Sequence, residues 1–194
     1  MTQLSDDQIL EALKDAEAVR TGHFVLTSGR HSGAYVQCAR ILEDPALTTK
    51  LAQTAVERLL AGLDIDLVAA PAVGGLIIGF AVAQALGVKF IFSEREQGRM
   101  VFRRAFAVPE NARVLVVEDV VTTGGSVAEV VDLVREAGGQ VVGVVSLIDR
   151  GGEKKFDVPF WPLLQLEVES WEPDSCSLCA QGVPVYSQGS RRLS

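Results

Sequence analysis

The 22 residues from Leu67 to Val88 contain no charged side chain. A run of this length could cross a bilayer as a helix, but Pro71 and four glycines interrupt it. We divide it into a strand, a turn and a helix, because strands buried on both faces of a parallel sheet are apolar throughout. The run therefore predicts the centre of an α/β core, and we expect no membrane association.

The rest of the chain repeats this alternation. Ser5 and Gln8 have the spacing of a capping box, and Asp44-Pro45 is typical of a helix start. Alternating strands and helices predict a mostly parallel, twisted sheet with helices on both faces. We predict helices over 5–19, 44–60, 75–86 and 126–137, two short strands within 23–38, and strands over 66–70, 88–92, 114–118, 140–148 and near 163–169.

Composition and charge narrow the class of protein. The chain has 194 residues, of which 48% are hydrophobic, and this suits one compact domain. Its net charge of −7 argues against a nucleic-acid partner, whereas a small anionic substrate needs only a local group of basic residues. Three cysteines do not suggest a disulfide framework, and the polar first residues do not resemble a signal peptide. We expect a cytoplasmic protein.

The stretch VLVVEDVVTTGGS (114–126) places two acids and a glycine-containing loop between a buried strand and a helix. Ser126 and Glu129 have capping-box spacing, so we expect the helix to start at Ser126. Free N–H groups at a helix start bind anions, and phosphate is the usual occupant. Glu118 and Asp119 can accept hydrogen bonds from sugar hydroxyls. The stretch therefore predicts a ribose-phosphate site; acids that merely face solvent are the alternative.

This stretch resembles the 5-phosphoribosyl-1-diphosphate (PRPP) motif of type I phosphoribosyltransferases. The resemblance implies that the two acids hold the ribose hydroxyls and that the loop amides hold the 5′-phosphate. It also implies that PAVGG (71–75) binds the leaving diphosphate and contains a cis peptide bond. The implied PRPP-binding residues are Glu118, Asp119, Val120, Val121, Thr122, Thr123, Gly124, Gly125 and Ser126, with Ala72, Val73, Gly74 and Gly75, and the cis bond is Ala72–Val73.

Two further segments resemble the orotate phosphoribosyltransferase branch of this family. SGRHSGAYVQC (28–38) is similar to the hood segment over the base, and SLIDRGG (146–152) places Arg150 where the family binds the orotate carboxylate. A guanidinium binds a carboxylate through two parallel hydrogen bonds. An ion pair of Arg150 with Asp149 or Glu153 is the alternative. The implied orotate-binding residues are Thr122, Arg150, Ser28, Gly29 and Arg30.

The resemblance also implies a domain plan and a partner. Residues 1–194 would form a single phosphoribosyltransferase domain, with a PRPP-binding core of about 45–169. A hood of about 1–40 would combine with the C-terminal tail, 170–194. The family further implies a homodimer with shared active sites.

The polar segment 93–104 contains four arginines. We expect a mobile loop that closes over the active site and neutralises the departing diphosphate. Its candidate catalytic residues are Arg95 and Arg99, which would act with Glu118 and Asp119. A merely solvated charged loop is the alternative. The resembled branch has this shorter, all-arginine loop, so roles of lysines in longer relatives do not carry over.

The activity that the resemblance implies is transfer of the 5-phosphoribosyl group from PRPP to orotate, giving orotidine 5′-monophosphate and pyrophosphate in UMP biosynthesis. Mg²⁺ is expected to enter on the diphosphate of PRPP rather than on protein side chains, because it usually keeps substrate phosphates and waters as ligands. A purine-type phosphoribosyltransferase, a PRPP-sensing regulator and a nucleotide-binding module without chemistry are the alternatives.

The histidines and two of the cysteines give weaker signals. Acid–base chemistry near neutral pH would suit His23 or His31, but little in the sequence supports it. Cys176 and Cys179 form a Cys-x-x-Cys pair, which supplies two of the four ligands that a zinc ion needs. We therefore interpret the pair as ordinary thiols rather than as a metal site.

Overall fold

The computed structural model describes residues 3–26, 29–166 and 168–187. Helices and strands alternate along the middle of the chain, as predicted. The described helices are α1 (Asp6–Asp15), α2 (Ala39–Leu42), α3 (Pro45–Leu59), α4 (Gly75–Leu86), α5 (Gly125–Glu136) and α6 (Ser177–Ala180), with a 3-10 turn at Pro173–Ser175. The described strands are β1 (Val19–Val25), β2 (His31–Val36), β3 (Leu67–Pro71), β4 (Lys89–Glu96), β5 (Arg99–Phe102), β6 (Arg113–Val121), β7 (Gln140–Asp149), β8 (Phe160–Gln165), β9 (Ser170–Trp171) and β10 (Val185–Ser187).

Six strands form the central sheet, in the order β5-β4-β3-β6-β7-β8. The strands run parallel except for β5, which is antiparallel to β4. Ala69 of β3 aligns with Ile91 of β4 on one side and with Val116 of β6 on the other. The mostly parallel sheet is therefore confirmed.

Both faces of this sheet are buried. Along β6, Leu115 and Val117 join the apolar cluster that also contains the inner sides of α3 and α4. Val114 and Val116 point the other way, into the cluster that contains the valines of α5. Full burial of one such side chain stabilises the fold by about 1.5–3 kcal/mol. The alternation explains why the strand is apolar throughout and confirms helices on both faces.

The uncharged run 67–88 lies inside this core as β3 and α4. Among the residues that the structure describes, no helix combines the length and the apolar composition needed to cross a bilayer. The cytoplasmic location stays a prediction.

A second sheet brings the two ends of the chain together, in the order β10-β1-β2-β9. β1 and β2 form an antiparallel hairpin, β10 runs parallel to β1, and β9 runs antiparallel to β2. We call this sheet the hood sheet. It joins the segment 19–36 to the segment 170–187.

Several elements differ from the prediction for local reasons. The capping box of Ser5 and Gln8 is present, but α1 ends at Asp15 because Glu17 adopts a left-handed backbone conformation with φ of 52°. β8 begins at Phe160, where its pairing with β7 starts, instead of near 163. The chain between 39 and 42 forms a short helix that was not predicted.

The start of α5 also differs from the prediction, and here the difference concerns the helix cap. The helix begins at Gly125, and the residue before it, Gly124, has a φ of 72° and makes no side-chain cap. The predicted capping box of Ser126 and Glu129 is wrong, because Glu129 pairs with Arg95 of β4.

Candidate active site

Three segments predicted to bind substrate meet at one edge of the central sheet. The segment 72–75 follows β3, the loop 122–124 follows β6, and Arg150 follows β7. Because β3, β6 and β7 are adjacent and parallel, their carboxyl ends lie side by side. Ligands of open α/β sheets bind outside this edge. The fold therefore gathers segments that are far apart in the sequence.

The acid pair lies in the last four residues of β6, which runs to Val121 instead of ending at 118 as predicted. Glu118 is only 8% exposed, so the alternative of acids that merely face solvent does not hold for it. One Glu118 carboxylate oxygen accepts a hydrogen bond from the Asp119 N–H at 3.1 Å, and Asp119 accepts one from the Val120 N–H at 2.7 Å. Neither acid forms an ion pair with a described lysine, arginine or histidine.

Because the two carboxyl groups are buried without a neighbouring cation among the described residues, their pKa values are raised. Desolvation, with the neighbouring Asp119 carboxylate, raises the pKa of Glu118 well above its usual range. Burial also raises the pKa of Asp119, although hydrogen bonds to its carboxylate partly oppose the shift. Hydroxyl donors or a nearby cation would therefore stabilise the ionised form of these two carboxylates.

The loop between β6 and α5 encloses a cavity of about 190 Å³. Its lining consists of Glu118, Val120 and the run 122–127. The first backbone N–H groups of α5 have no partner within the helix and carry its positive dipole end. Glu118 on one side of the cavity and a helix start on the other suit a ribose phosphate.

Gly124 controls the shape of this loop. Its φ of 72° is a conformation that glycine adopts readily. A Cβ at this position would also lie 2.4 Å from a ring carbon of Phe156. The Lys155 N–H donates to the Thr123 carbonyl at 2.9 Å, so the segment behind the loop both supports and confines it.

The segment after β3 lies directly against the acid pair. The Ala72–Val73 peptide bond is cis, as the resemblance predicts. The Ala72 N–H donates to the Ser93 carbonyl of β4 at 2.8 Å. A Cβ on Gly74 would lie 2.7 Å from an Asp119 carboxylate oxygen, so this backbone and that side chain are in contact.

Arg150 is a half-buried cation without a described partner. Its Nε atom is buried and makes no hydrogen bond. The alternative of an ion pair with Asp149 is wrong, because Asp149 pairs with Lys154 at 2.7 Å, and no pair with Glu153 is found in the described ranges. Burial lowers the pKa of Arg150, and nearby Tyr35 of the hood sheet opposes the shift. The guanidinium is therefore available to a ligand carboxylate.

Arg30 is differently placed. Its guanidinium donates to the Ser170 carbonyl at 2.6 Å and to the Ser170 hydroxyl at 3.1 Å, and it forms an ion pair with Glu172. Gly29 forms the preceding turn with a φ of 82°. Ser28 lies outside the described residues. The predicted contacts of this hood segment with orotate stay predictions.

The predicted loop over 93–104 is instead a β-hairpin. β4 and β5 pair from Ser93–Phe102 to Glu96–Arg99. Between them Gln97 and Gly98 have φ values of 47° and 85°, which suit a two-residue hairpin turn. The strand was not predicted because its composition is polar. Edge strands of a sheet commonly carry charged side chains that face solvent.

Three of the four arginines in this hairpin are paired. Arg95 binds Glu129 of α5 with both terminal nitrogens, at 2.7 and 3.0 Å. Arg104 binds Glu94 at 3.0 Å, and Arg103 pairs with Glu96 at 3.3 Å. Arg99 is exposed and has no ion pair within the described part of the chain. Of the two candidate catalytic arginines, Arg99 is therefore the one free to meet a ligand.

Some residues at this edge were not predicted. Cys38 is buried, with its thiol 4.0 Å from the Asp119 carbonyl, and burial raises the pKa of this thiol. Tyr35, three residues before Cys38, lies near Arg150. Both residues belong to the stretch 28–38. Its resemblance to the hood segment was the one feature of the sequence that could have indicated them.

Comparison with known proteins identifies the same family that the site residues resemble. A family model, the phosphoribosyl transferase domain, matches residues 38–172. The orotate phosphoribosyltransferase of Heliobacterium modesticaldum is 48% identical over 97% of this chain and 100% of its own length. That of Carboxydothermus hydrogenoformans is 49% identical over 92% of this chain and 94% of its own.

A solved structure extends the likeness to the fold. The crystal structure of orotate phosphoribosyltransferase from Aeropyrum pernix has a TM-score of 0.69 at 29% identity, covering 81% of this chain and 93% of that one. The likeness in sequence includes the hood and the tail as well as the PRPP-type loop. The chain belongs to the orotate phosphoribosyltransferase family.

Proposed function

We propose that this chain transfers the 5-phosphoribosyl group of PRPP to orotate, forming orotidine 5′-monophosphate and pyrophosphate in UMP biosynthesis. The observation that carries the proposal is the meeting of an acid pair, a phosphate-type loop and a partner-free arginine at one sheet edge. The names of the close relatives favour orotate over the purine-type alternative.

PRPP would span the two loops around the acid pair. The 5′-phosphate would occupy the cavity formed by 120–126, where helix N–H groups point. Glu118 and Asp119 would accept hydrogen bonds from the ribose hydroxyls. The diphosphate would lie along the backbone of 72–75, which touches the Asp119 carboxylate. In this arrangement the 5′-phosphate would face N–H donors, the ribose would face the acids, and the diphosphate would lie close to Asp119.

Orotate would bind between Arg150 and the hood sheet. Its carboxylate is what distinguishes it from uracil, and the Arg150 guanidinium lacks an anion. Thr122 lies close by, because the Arg150 N–H donates to the Val121 carbonyl at 2.8 Å. Ser28, Gly29 and Arg30 would complete the site from the hood.

Mg²⁺ would enter with the diphosphate and partly neutralise its charge. The acid pair is compatible with a cation nearby, because its buried carboxylates form no ion pair with a described residue. Binding both substrates holds the reacting atoms in line and excludes water, which is the main contribution we assign to the protein. Arg99, and Arg95 after release from Glu129, would stabilise the negative charge that develops on the leaving diphosphate.

The assembly that we propose is a homodimer of single-domain chains. Val73, just before α4, and Ile77 and Phe80 within it are 80%, 51% and 59% exposed. Ile77 and Phe80 are three residues apart, so they lie on the same side of α4, and Val73 belongs to the adjoining diphosphate segment. An exposed apolar group of this kind suits a subunit contact, and sedimentation of the wild type beside Phe80→Ser tests it.

The activity is tested by incubating the purified full chain with orotate, PRPP and Mg²⁺ and measuring both products. We expect orotidine 5′-monophosphate and pyrophosphate in equal amounts, each dependent on PRPP and Mg²⁺. Tight PRPP binding without either product would favour the regulator that shares this fold. Arg150→Ala is the site variant, and Arg135→Ala, at the far end of α5, is the control.

A further inference from the structure

Four side chains outside the transfer site converge where the C-terminal tail meets the hood sheet. They are His23 of β1, His31 of β2, Cys176 before α6 and Cys179 within it. One nitrogen or sulfur atom of each lies within 4.8 Å of the others. The chain has two histidines and three cysteines, so this cluster uses both histidines and two of the cysteines.

Three of the distances between these atoms are close to the edges of a zinc site. In a tetrahedron with Zn–N of about 2.0 Å and Zn–S of about 2.3 Å, neighbouring ligand atoms lie about 3.3–3.8 Å apart. The His23 Nε2 atom is 3.5 Å from the Cys176 sulfur and 3.7 Å from the Cys179 sulfur. The His31 Nδ1 atom is 3.2 Å from the Cys179 sulfur. The His23 Nε2 and His31 Nδ1 atoms, at 2.8 Å, are closer than such an edge and would have to separate when a metal binds, and the remaining pairs lie within 4.8 Å.

The orientation of His23 supports a ligand role. Its side chain is fully buried, and its Nδ1 atom is 2.8 Å from the Val183 carbonyl. A carbonyl only accepts, so Nδ1 carries the proton and Nε2 turns its lone pair toward the two sulfurs. Zinc-binding histidines are held in this way, with the second ring nitrogen donating to a carbonyl or carboxylate.

We propose that His23, His31, Cys176 and Cys179 bind one structural Zn²⁺ ion. Four protein ligands leave no open position for substrate, which distinguishes a structural zinc site from a catalytic one. On binding, each thiol loses its proton to solvent, and the two thiolates neutralise the charge of the ion. The metal would therefore be tightly held and separate from the Mg²⁺ that accompanies PRPP.

The site would fasten the tail to the hood sheet. β9 and β10 are two and three residues long, so their pairing with β2 and β1 supplies few hydrogen bonds. Zinc would link both central strands of that sheet to α6, the helix between β9 and β10 in the chain. His31 directly follows Arg30, so the ion would also hold the hood segment that we place over orotate.

Without metal, the same atoms could form hydrogen bonds, or the two cysteines could form a disulfide. The distinguishing measurement is the metal content of the full chain, expressed without a histidine tag in zinc-supplemented medium and passed through a desalting column. We expect one zinc per chain by mass spectrometry of the metal. After exchange with Co²⁺, we expect the visible absorption of a tetrahedral thiolate site.

The variants Cys179→Ser and His31→Asn should lose most of the zinc and the cobalt spectrum. Both residues are at least partly exposed, so both proteins should fold. Cys38→Ala removes the cysteine outside the cluster and should retain one zinc. A wild type that binds no zinc with both thiols reduced would overturn the proposal, as would a Cys176–Cys179 disulfide in the freshly isolated protein.

The effect on the hood rests on the proposed function and is measured separately. If zinc holds the hood segment, Cys179→Ser should raise KM for orotate severalfold and leave KM for PRPP nearly unchanged. Equal changes in both constants would contradict the link to the hood. A wild type that contains zinc but has no transferase activity would contradict the proposed function alone.

Discussion

Arg95 and Glu129 form a bidentate ion pair that joins the β4–β5 hairpin to α5, the helix that follows the phosphate-type loop. The two hydrogen bonds are 2.7 and 3.0 Å long, and the same arginine donates to the Gly98 carbonyl at 2.6 Å. Exposed pairs of this kind contribute about 0.2–1 kcal/mol. The hairpin is therefore held against α5 by a contact that ligand binding can replace.

This pairing predicts an order among the arginines. Arg99→Ala should lower kcat about 10-fold or more, because a hydrogen bond to a charged group is worth about 1.5–3 kcal/mol. Arg95→Ala should lower it less, since Arg95 must first leave Glu129. Steady-state kinetics with Arg104→Ala as the control checks this, and a larger loss in Arg95→Ala than in Arg99→Ala would contradict it.

Gly124→Ala should destabilise the chain and weaken PRPP binding. A left-handed backbone costs a non-glycine residue about 1–2 kcal/mol, and the added Cβ would also meet the Phe156 ring. Gly87 has the same φ of 72° with nothing near its absent side chain, so Gly87→Ala measures the backbone cost alone. Denaturant unfolding should show the larger loss in Gly124→Ala, and equal losses would show that Phe156 moves aside freely.

Glu118→Gln should stabilise the ligand-free chain while weakening PRPP binding. Burial raises the pKa of Glu118, so the folded state binds its proton more tightly than the unfolded state does. The stability from this group is therefore present below the ordinary carboxyl pKa and is lost as pH rises through the raised value. The gain in Glu118→Gln, on the order of 1–3 kcal/mol, should be larger at about pH 8 than at about pH 5.

Urea unfolding of both proteins at the two pH values measures this difference. Asp119→Asn should show the same sign, because the pKa of Asp119 is also raised. A gain that does not depend on pH would show that the carboxylate is compensated in the folded state. PRPP affinity, measured by calorimetry, should fall in both variants.

Arg150→Ala should lower kcat/KM for orotate by about 10- to 150-fold, from the loss of about 1.5–3 kcal/mol of charged hydrogen bonding. Arg150→Lys should recover only part of it, because an ammonium cannot form two parallel hydrogen bonds. PRPP affinity should stay unchanged in both proteins. A matched loss of PRPP binding would show instead that Arg150 supports the loop through the Val121 contact.

The sequence predicts best what depends on neighbours in the chain. The strand predicted over 66–70 and found at Leu67–Pro71, the helix 75–86 and the position of the acids near a strand end follow from local periodicity and turn residues. The hairpin was missed because its Gln97-Gly98 turn lies in a charged segment, and the capping box failed because Glu129 has a partner 34 residues away. The zinc ligands were missed for the same reason, since His23 and Cys176 are 153 residues apart.

The most direct test of the proposed activity follows the ultraviolet absorbance of orotate with the wild-type chain, PRPP and Mg²⁺, beside parallel reactions with uracil, adenine and hypoxanthine. We predict rapid loss of orotate that requires both PRPP and Mg²⁺, and little or no reaction of the other three bases. Turnover of a purine with orotate untouched would contradict the role of Arg150 and the substrate that we propose.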